Sequence, residues 1–123
     1  MIVRFELGGL LFEYDENKNQ INLQKHGISF RSAARVFFDY DRIEFFDEEH
    51  SNEEDRYNLI GNASVAQIES PRQMIGKFDD ILFVVYTERF FILDDGKYTE
   101  VIRLISARMA TNFERGLYYG KCE

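Results

Sequence analysis

"ILFVVYTER", residues Ile81 to Arg89, decides how this chain folds. Its first six residues are apolar without interruption and dominated by β-branched and aromatic side chains. A run this short with this composition reads as a strand buried on both faces, hence a central one. Period two then places Thr87 and Arg89 on one face of that strand and Glu88 on the other. Downstream, "FFILDDGKYTE" continues the strand and turns at Asp95-Gly96, a strong hairpin signal. "VIRLISAR", Val101 to Arg108, is the returning strand. Upstream, "RIEFF" (Arg42 to Phe46) and "RYNLIG" (Arg56 to Gly61) read as two further strands. The acidic loop "DEEHSNEED", Asp47 to Asp55, joins them.

Helices bracket this sheet. Asp15 can cap a first helix from about Glu16 to His26, with a thin apolar stripe at Ile21 and Leu23 and Gly27 as the left-handed stop. Ser29 can cap a second, whose Phe30, Ala33, Ala34 and Phe37 fall on one buried face while Arg31 and Arg35 point away. "FFDYD" ends it. Thr111 and Glu114 form a capping box for a last helix carrying Phe113 and Leu117, reaching about Tyr119. At the start, "VRFEL" and "LFEY" flank Gly8-Gly9 as a short strand, a turn and a second extended piece. The expectation is one domain spanning residues 1–123, of α+β class. An antiparallel sheet of about four strands would pack against two N-terminal helices and a C-terminal helix. Residues 62–80 are long for a connection in a compact domain; a protruding hairpin or a lid, with a helical turn at Ser70-Pro71, is expected there.

Composition narrows the function. The chain has 123 residues and a net charge of −7, with 12 Phe, 7 Tyr and no Trp. Residues 1–62 carry −6 of that charge and residues 63–123 carry −1. Loose binding to nucleic acid through phosphate neutralisation is disfavoured, although a local basic pocket is compatible with it. The single cysteine, Cys122, allows no intrachain disulfide, which suits a reducing, cytoplasmic setting. The start "MIVRFELGGLLFEYDE" lacks the pattern of a signal peptide, and Ile81 to Tyr86 is too short to span a bilayer. No membrane partner is expected.

No nucleotide-binding glycine loop, Cys/His metal cluster or nucleophile elbow occurs in the sequence. The candidates for chemistry are basic residues in strands. Arg103 interrupts an apolar strand, Arg56 opens one beside Glu53, Glu54 and Asp55, and Arg108 sits where a strand hands over to a helix. An arginine in an apolar strand needs an anion or a wet pocket. Several on neighbouring strands can meet around one phosphate; the plainer alternative is a set of structural ion pairs. Lys25 and His26 close the first helix, where the helix dipole favours positive charge. The same placement suits a general acid and a phosphate ligand. His50, among the acids of its loop, has no recognisable metal spacing, and no metal or cofactor is expected.

These segments together resemble a known family. "FEYDENKNQINLQKHGISFRSAARVFFD", "EEDRYNLIG", "VVYTER" and "VIRLISARMATNFERGLYY" are similar, in that order, to the BrnT ribonuclease toxins of bacterial type II toxin–antitoxin modules. The resemblance covers nearly the whole chain except residues 62–80 and the tip near Phe90 to Lys97. It departs at Tyr14, where the family often has tryptophan, and in the acidic net charge. It implies a RelE/ParE-like fold and a metal-free endoribonuclease that suppresses translation. It also implies a ribbon-helix-helix antitoxin partner of the BrnA type, encoded beside the toxin, through which operator DNA is bound. A homodimer or heterotetramer would follow.

Carried onto this sequence, the implied catalytic set is Lys25, His26, Glu54, Arg56, Arg89 and Arg108, with Thr87, Arg103 and Ser106 binding substrate. His26 or Glu54 would be the base, Lys25 or His26 would serve the leaving oxygen, and the arginines would cradle the phosphate. The competing expectations are a non-catalytic antitoxin-binding module and a ParE-like gyrase inhibitor.

Overall fold

The computed structural model describes residues 1–65 and 80–120. Strands β1 (Ile2–Leu7) and β2 (Leu10–Asp15) form a hairpin over Gly8-Gly9. Both glycines have positive φ, 57° and 86°, which a two-residue turn requires. Helix α1 (Glu16–His26) follows, then a single turn α2 (Phe30–Ala33) that tightens into a 3-10 turn over Ala34–Phe38. Next come β3 (Ile43–Phe46), β4 (Arg56–Asn62), β5 (Ile81–Ile92), β6 (Tyr98–Met109) and α3 (Asn112–Gly120). Most of the expected lid region, including Ser70-Pro71, lies outside the described residues; Ala63–Val65 is a short 3-10 turn.

The sheet corrects the expectation in two ways. It has six strands rather than about four, in the order β1-β2-β6-β5-β4-β3. It is also mixed, because β2 runs parallel to β6 while the other pairs are antiparallel. The N-terminal hairpin is therefore part of the sheet. β5, the apolar run that opened the reading, is central. Its residues Leu82, Val84 and Tyr86 join the main core with Phe12, Phe30, Ala33, Val36, Phe37, Leu59, Leu104 and Ala107. Edge-to-face rings link Phe12, Phe37 and Tyr86 at 5.3 and 4.9 Å, as a phenylalanine-rich interior requires. A smaller cluster of Ile60, Ile81 and Tyr118 lies on the opposite face, under α3.

Helix α1 has the expected caps: Asp15 accepts from the Asn17 N–H at 2.8 Å, and Gly27 stands at φ 72°. Its buried face is not the expected one. Ile21 and Leu23 are exposed, and Asn19 and Asn22 are buried instead. The cause is the splay between β2 and β6, which pair at only two positions, Phe12↔Ile102 and Glu13↔Arg103. Further along, β6 has no strand partner on that side, so its backbone must bond something else. The Asn22 amide supplies it, donating to the Ala107 carbonyl at 2.8 Å and accepting the Ala107 N–H at 3.2 Å. A second Nδ2 bond, to the Ile28 carbonyl at 2.9 Å, closes the turn after the helix. Asn19 accepts the Phe30 N–H at 2.9 Å.

Two further expectations change. Arg35 is buried rather than outward, because the chain has tightened to 3-10 geometry by that point. In α3 the capping box forms, with the Thr111 N–H on Glu114 at 2.8 Å and the Glu114 N–H on the Thr111 hydroxyl at 3.2 Å. The side chain that anchors this helix is Tyr118, while Phe113 and Leu117 are exposed. The Tyr118 hydroxyl donates to buried Asp39 at 2.6 Å, and Asp39 also takes the Asn62 N–H at 2.8 Å.

Candidate functional site

Strand register gathers the polar residues into rows. Arg56 pairs with Thr87, Thr87 with Arg103, Arg103 with Glu13, and Glu13 with Arg4. Paired residues share a face, so one transverse row crosses β4, β5, β6, β2 and β1 on the side away from α1 and α2. At about 4.8 Å per strand the row is roughly 19 Å long. The next row is Asn58, Val85 and Ser106; the one after is Ile60, Phe83 and Arg108. Arg89 lies two residues beyond Thr87 on the same face.

Simple alternation would not put Arg103 and Arg108 together, since they are five residues apart. A register shift makes it happen: Val85 pairs with Ser106, but Tyr86 pairs with Leu104, leaving Ile105 as an extra residue on β6. This bulge reverses the parity of β6. Ser106 and Arg108 consequently emerge beside Arg103 on the open face, while Leu104 and Ala107 stay in the core.

Ion pairs divide the arginines between two hollows on that shared face. The first is a cavity of about 470 Å³ lined by Ile2, Arg4, Glu13, Arg89, Phe91 and Arg103. Its centre is Glu13, 1% exposed, which accepts from Arg4 Nε at 2.9 Å and from Arg103 at 2.8 Å. Burial would raise the Glu13 carboxyl, but hydrogen bonds and charge from Arg4 and Arg103 outweigh it and hold it below the usual range. Arg4 lies over the Phe91 ring at 4.5 Å. Arg89 reaches Glu54 at 3.4 Å, and its buried Nε lies 4.0 Å from Glu13 with no hydrogen-bond partner among the described residues.

The second hollow, about 430 Å³, is lined by Asp47, Glu49, His50, Arg56, Asn58, Phe83, Val85, Ile105, Ser106 and Arg108. Arg108 is held on its wall by a two-pronged pair with Glu114 at 2.7 and 2.9 Å and lies 4.3 Å over the Phe83 ring. The hydrogen bond to Glu114 raises Arg108, and the same contact lowers Glu114. Arg56 differs from the other arginines of this face: no carboxylate among the described residues lies within ion-pair distance of it. It also lines an adjoining hollow of about 280 Å³ with Glu49, His50, Asn52, Glu53 and Glu54.

The sequence-predicted residues thus fall into three places. Glu54, Arg56 and Arg89 are neighbours, since Glu54 bonds Arg89 and Arg56 is one strand across and diagonal to it. Ser106 and Arg108 stand one and two rows away. Thr87 is buried within the first row, its hydroxyl donating to the Asp55 carbonyl at 2.6 Å and pinning the end of the acidic loop. Lys25 and His26 are exposed at the end of α1. They follow Asn22 by three and four residues, which puts them about one turn beyond the Asn22–Ala107 contact. Among the described residues no three His, Cys, Asp or Glu side chains are grouped as a metal site would require. None of the described helices is long and apolar enough to cross a membrane.

Sequence reasoning overlooked Arg4 and Glu13. Their signal was present: a two-residue turn at Gly8-Gly9 fixes the hairpin register and sets Arg4 opposite Glu13. Glu13 is also a lone acid between Phe12 and Tyr14 in an otherwise core-facing strand.

No curated protein matches the sequence. A family model described as "Ribonuclease toxin, BrnT, of type II toxin-antitoxin system" matches residues 14–114, and the chain belongs to that family.

Proposed function

We propose that this ribonuclease toxin cuts single RNA strands without a metal ion, at the junction of β4, β5 and the acidic loop. The observation that carries the reading is the Arg56 guanidinium, without a carboxylate partner among the described residues, on a face otherwise lined with carboxylate-held arginines. A buried or half-buried guanidinium is stable only with an anion or water as partner, and an RNA phosphate supplies the anion. Arg89, with its Nε hydrogen bond unmade, is the second ligand.

The residues then divide the work. The Glu54 carboxylate takes the proton from the ribose 2′-hydroxyl, which attacks the adjacent phosphorus. Arg56 and Arg89 stabilise the charge that builds on the phosphorane oxygens. Arg103, Ser106 and Arg108 hold the strand to either side, and Thr87 keeps Glu54 in place through its bond to Asp55. Lys25 and His26 offer N–H donors to the strand where it leaves past α1. The products are a 2′,3′-cyclic phosphate and a 5′-hydroxyl. The net charge of −7 restricts RNA affinity to this face rather than spreading it over the surface.

A type II toxin has a cognate antitoxin. For this chain we infer a RelE-like fold and a BrnA-like ribbon-helix-helix partner that brings operator DNA to the complex, as a homodimer or heterotetramer. The test is cleavage of a labelled RNA in excess chelator by wild type, Arg56→Ala and Glu54→Gln, with growth measured on expression in bacteria. Loss of one charge clamp should cost on the order of 100-fold in rate. Growth arrest with RNA intact and supercoiling inhibited would replace this reading by a gyrase poison. No arrest, with tight antitoxin binding, would replace it by a non-catalytic module.

A further inference from the structure

We propose that His50, oriented by Asp47, is the general acid that protonates the departing 5′-oxygen. This rests on the nuclease reading above. The acidic loop is not slack, because its two ends are tied together. The Asp47 N–H donates to the Arg56 carbonyl at 2.9 Å, the Ser51 hydroxyl donates to the Asp47 carbonyl, and the Arg56 N–H donates to the Ser51 hydroxyl at 2.9 Å. His50 is thereby folded back over the start of β4. It lines both hollows that Arg56 lines, the only other residue besides Glu49 to do so among those described.

Its ring is oriented for proton transfer. Nδ1 lies 2.9 and 3.1 Å from the two Asp47 carboxylate oxygens, and an ionised carboxylate can only accept, so Nδ1 carries the hydrogen. Nε2, on the far side of the ring, has no partner among the described residues. In the imidazolium it presents an N–H to the space shared with Arg56. This is the arrangement in which a carboxylate fixes the tautomer and steadies the charged ring while the other nitrogen exchanges protons with substrate. The charged groups around it are Asp47, Glu49, Glu53 and Glu54 from its loop, with Arg56 from β4 and Arg108 from β6.

The step balances. The bond between the 2′-oxygen and phosphorus forms, and the bond from phosphorus to the 5′-oxygen breaks. The 2′-hydroxyl proton goes to Glu54, and the Nε2 proton goes to the departing oxygen. Exchange with water then restores both groups. Lys25 and His26, which line none of these hollows, bind strand rather than donate the proton.

The test compares two RNA substrates, one ordinary and one with sulfur in place of the bridging 5′-oxygen at the cut. A thiolate leaves without being protonated. His50→Gln should lower kcat on ordinary RNA about 100-fold with little change in KM. It should also cut the sulfur substrate at nearly the wild-type rate. Asp47→Asn should give a smaller loss with the same rescue, and Glu54→Gln should be impaired on both substrates. An unchanged rate in His50→Gln, equal loss on both substrates, or sulfur rescue of His26→Gln instead would each overturn the assignment while leaving the nuclease reading intact. Wild type inactive on both substrates would overturn both. Thermal melting of each variant checks that His50, an exposed side chain, has not been changed at the cost of folding.

Discussion

Replacing Asn22 with alanine should destabilise the protein by about 3–5 kcal/mol, more than almost any exposed apolar truncation on the same helix. The side chain makes three hydrogen bonds, at 2.8, 2.9 and 3.2 Å, all to buried backbone. The alanine variant removes the partner of three buried backbone groups, the Ala107 N–H and the Ala107 and Ile28 carbonyls, at about 1–3 kcal/mol each. Partial entry of water into the small cavity brings the total back to the stated range. For a chain of this size that corresponds to a fall in Tm on the order of 10–20 °C. Urea unfolding followed by circular dichroism measures it. The matched control is Ile21→Ala, since Ile21 is 61% exposed on the same helix and should change stability by no more than about 0.5 kcal/mol. Asn22→Asp, which keeps the shape and the acceptor but removes both donors, should fall close to alanine. Equal midpoints for Asn22→Ala and Ile21→Ala would refute the idea that α1 is held by amide-to-strand bonds rather than by its apolar residues.

Two other perturbations follow from the charge arrangement. Glu13→Gln should cost about 1–2 kcal/mol at pH 7, because it leaves partly exposed Arg4 and Arg103 facing a neutral group, with water able to solvate the two guanidinium groups in part. The Glu13 pKa is depressed in the fold, so its stabilisation is present above the unfolded carboxyl pKa and is lost as pH falls through the folded value; the variant should lose part of the wild type's acid-limb slope in unfolding measurements from pH 6 to 2. Glu88 has the opposite sign. Its hydrogen bond with Glu100, burial, and the charges of Glu100 and Glu44 push it up to about 7. The fold therefore takes up a proton there between the unfolded carboxyl range and neutrality, and that stability is lost as pH rises through about 7. Glu88→Gln should be relatively more stable than wild type at pH 8 than at pH 5; an equal difference at both values would contradict the shared-proton arrangement.

The sequence by itself determined the local elements. Asp15 and Gly27 set the limits of α1, Ser29 started α2, the Thr111–Glu114 pair started α3, and Asp95-Gly96 placed the long hairpin. Each of these rests on bonds within a few residues, so the chain carries the whole signal. The unbroken apolar run at Ile81 likewise announced a central strand, and the alternation after it put Thr87 and Arg89 together. The order of motifs was enough to place the chain in its family.

Tertiary structure decided the rest, wherever a side chain's partner is distant in sequence. That Asn22, not Ile21 or Leu23, faces inward depends on β6 having free backbone groups at Ala107, 85 residues away. That the N-terminal hairpin joins the sheet, through a parallel pairing with β6, depends on a contact no local rule specifies. The candidate site depends on one inserted residue. Alternation along β6 puts Arg103 and Arg108 on opposite faces, and only the bulge at Ile105, fixed by pairing with β5, brings them to one side. Which arginines of this face are bound to carboxylates was settled by Glu13, Glu54 and Glu114 arriving from a strand, a loop and a helix far apart in sequence. Charge pairing across a sheet is a property of register, and register is set by the packing of whole strands rather than by any stretch of sequence alone.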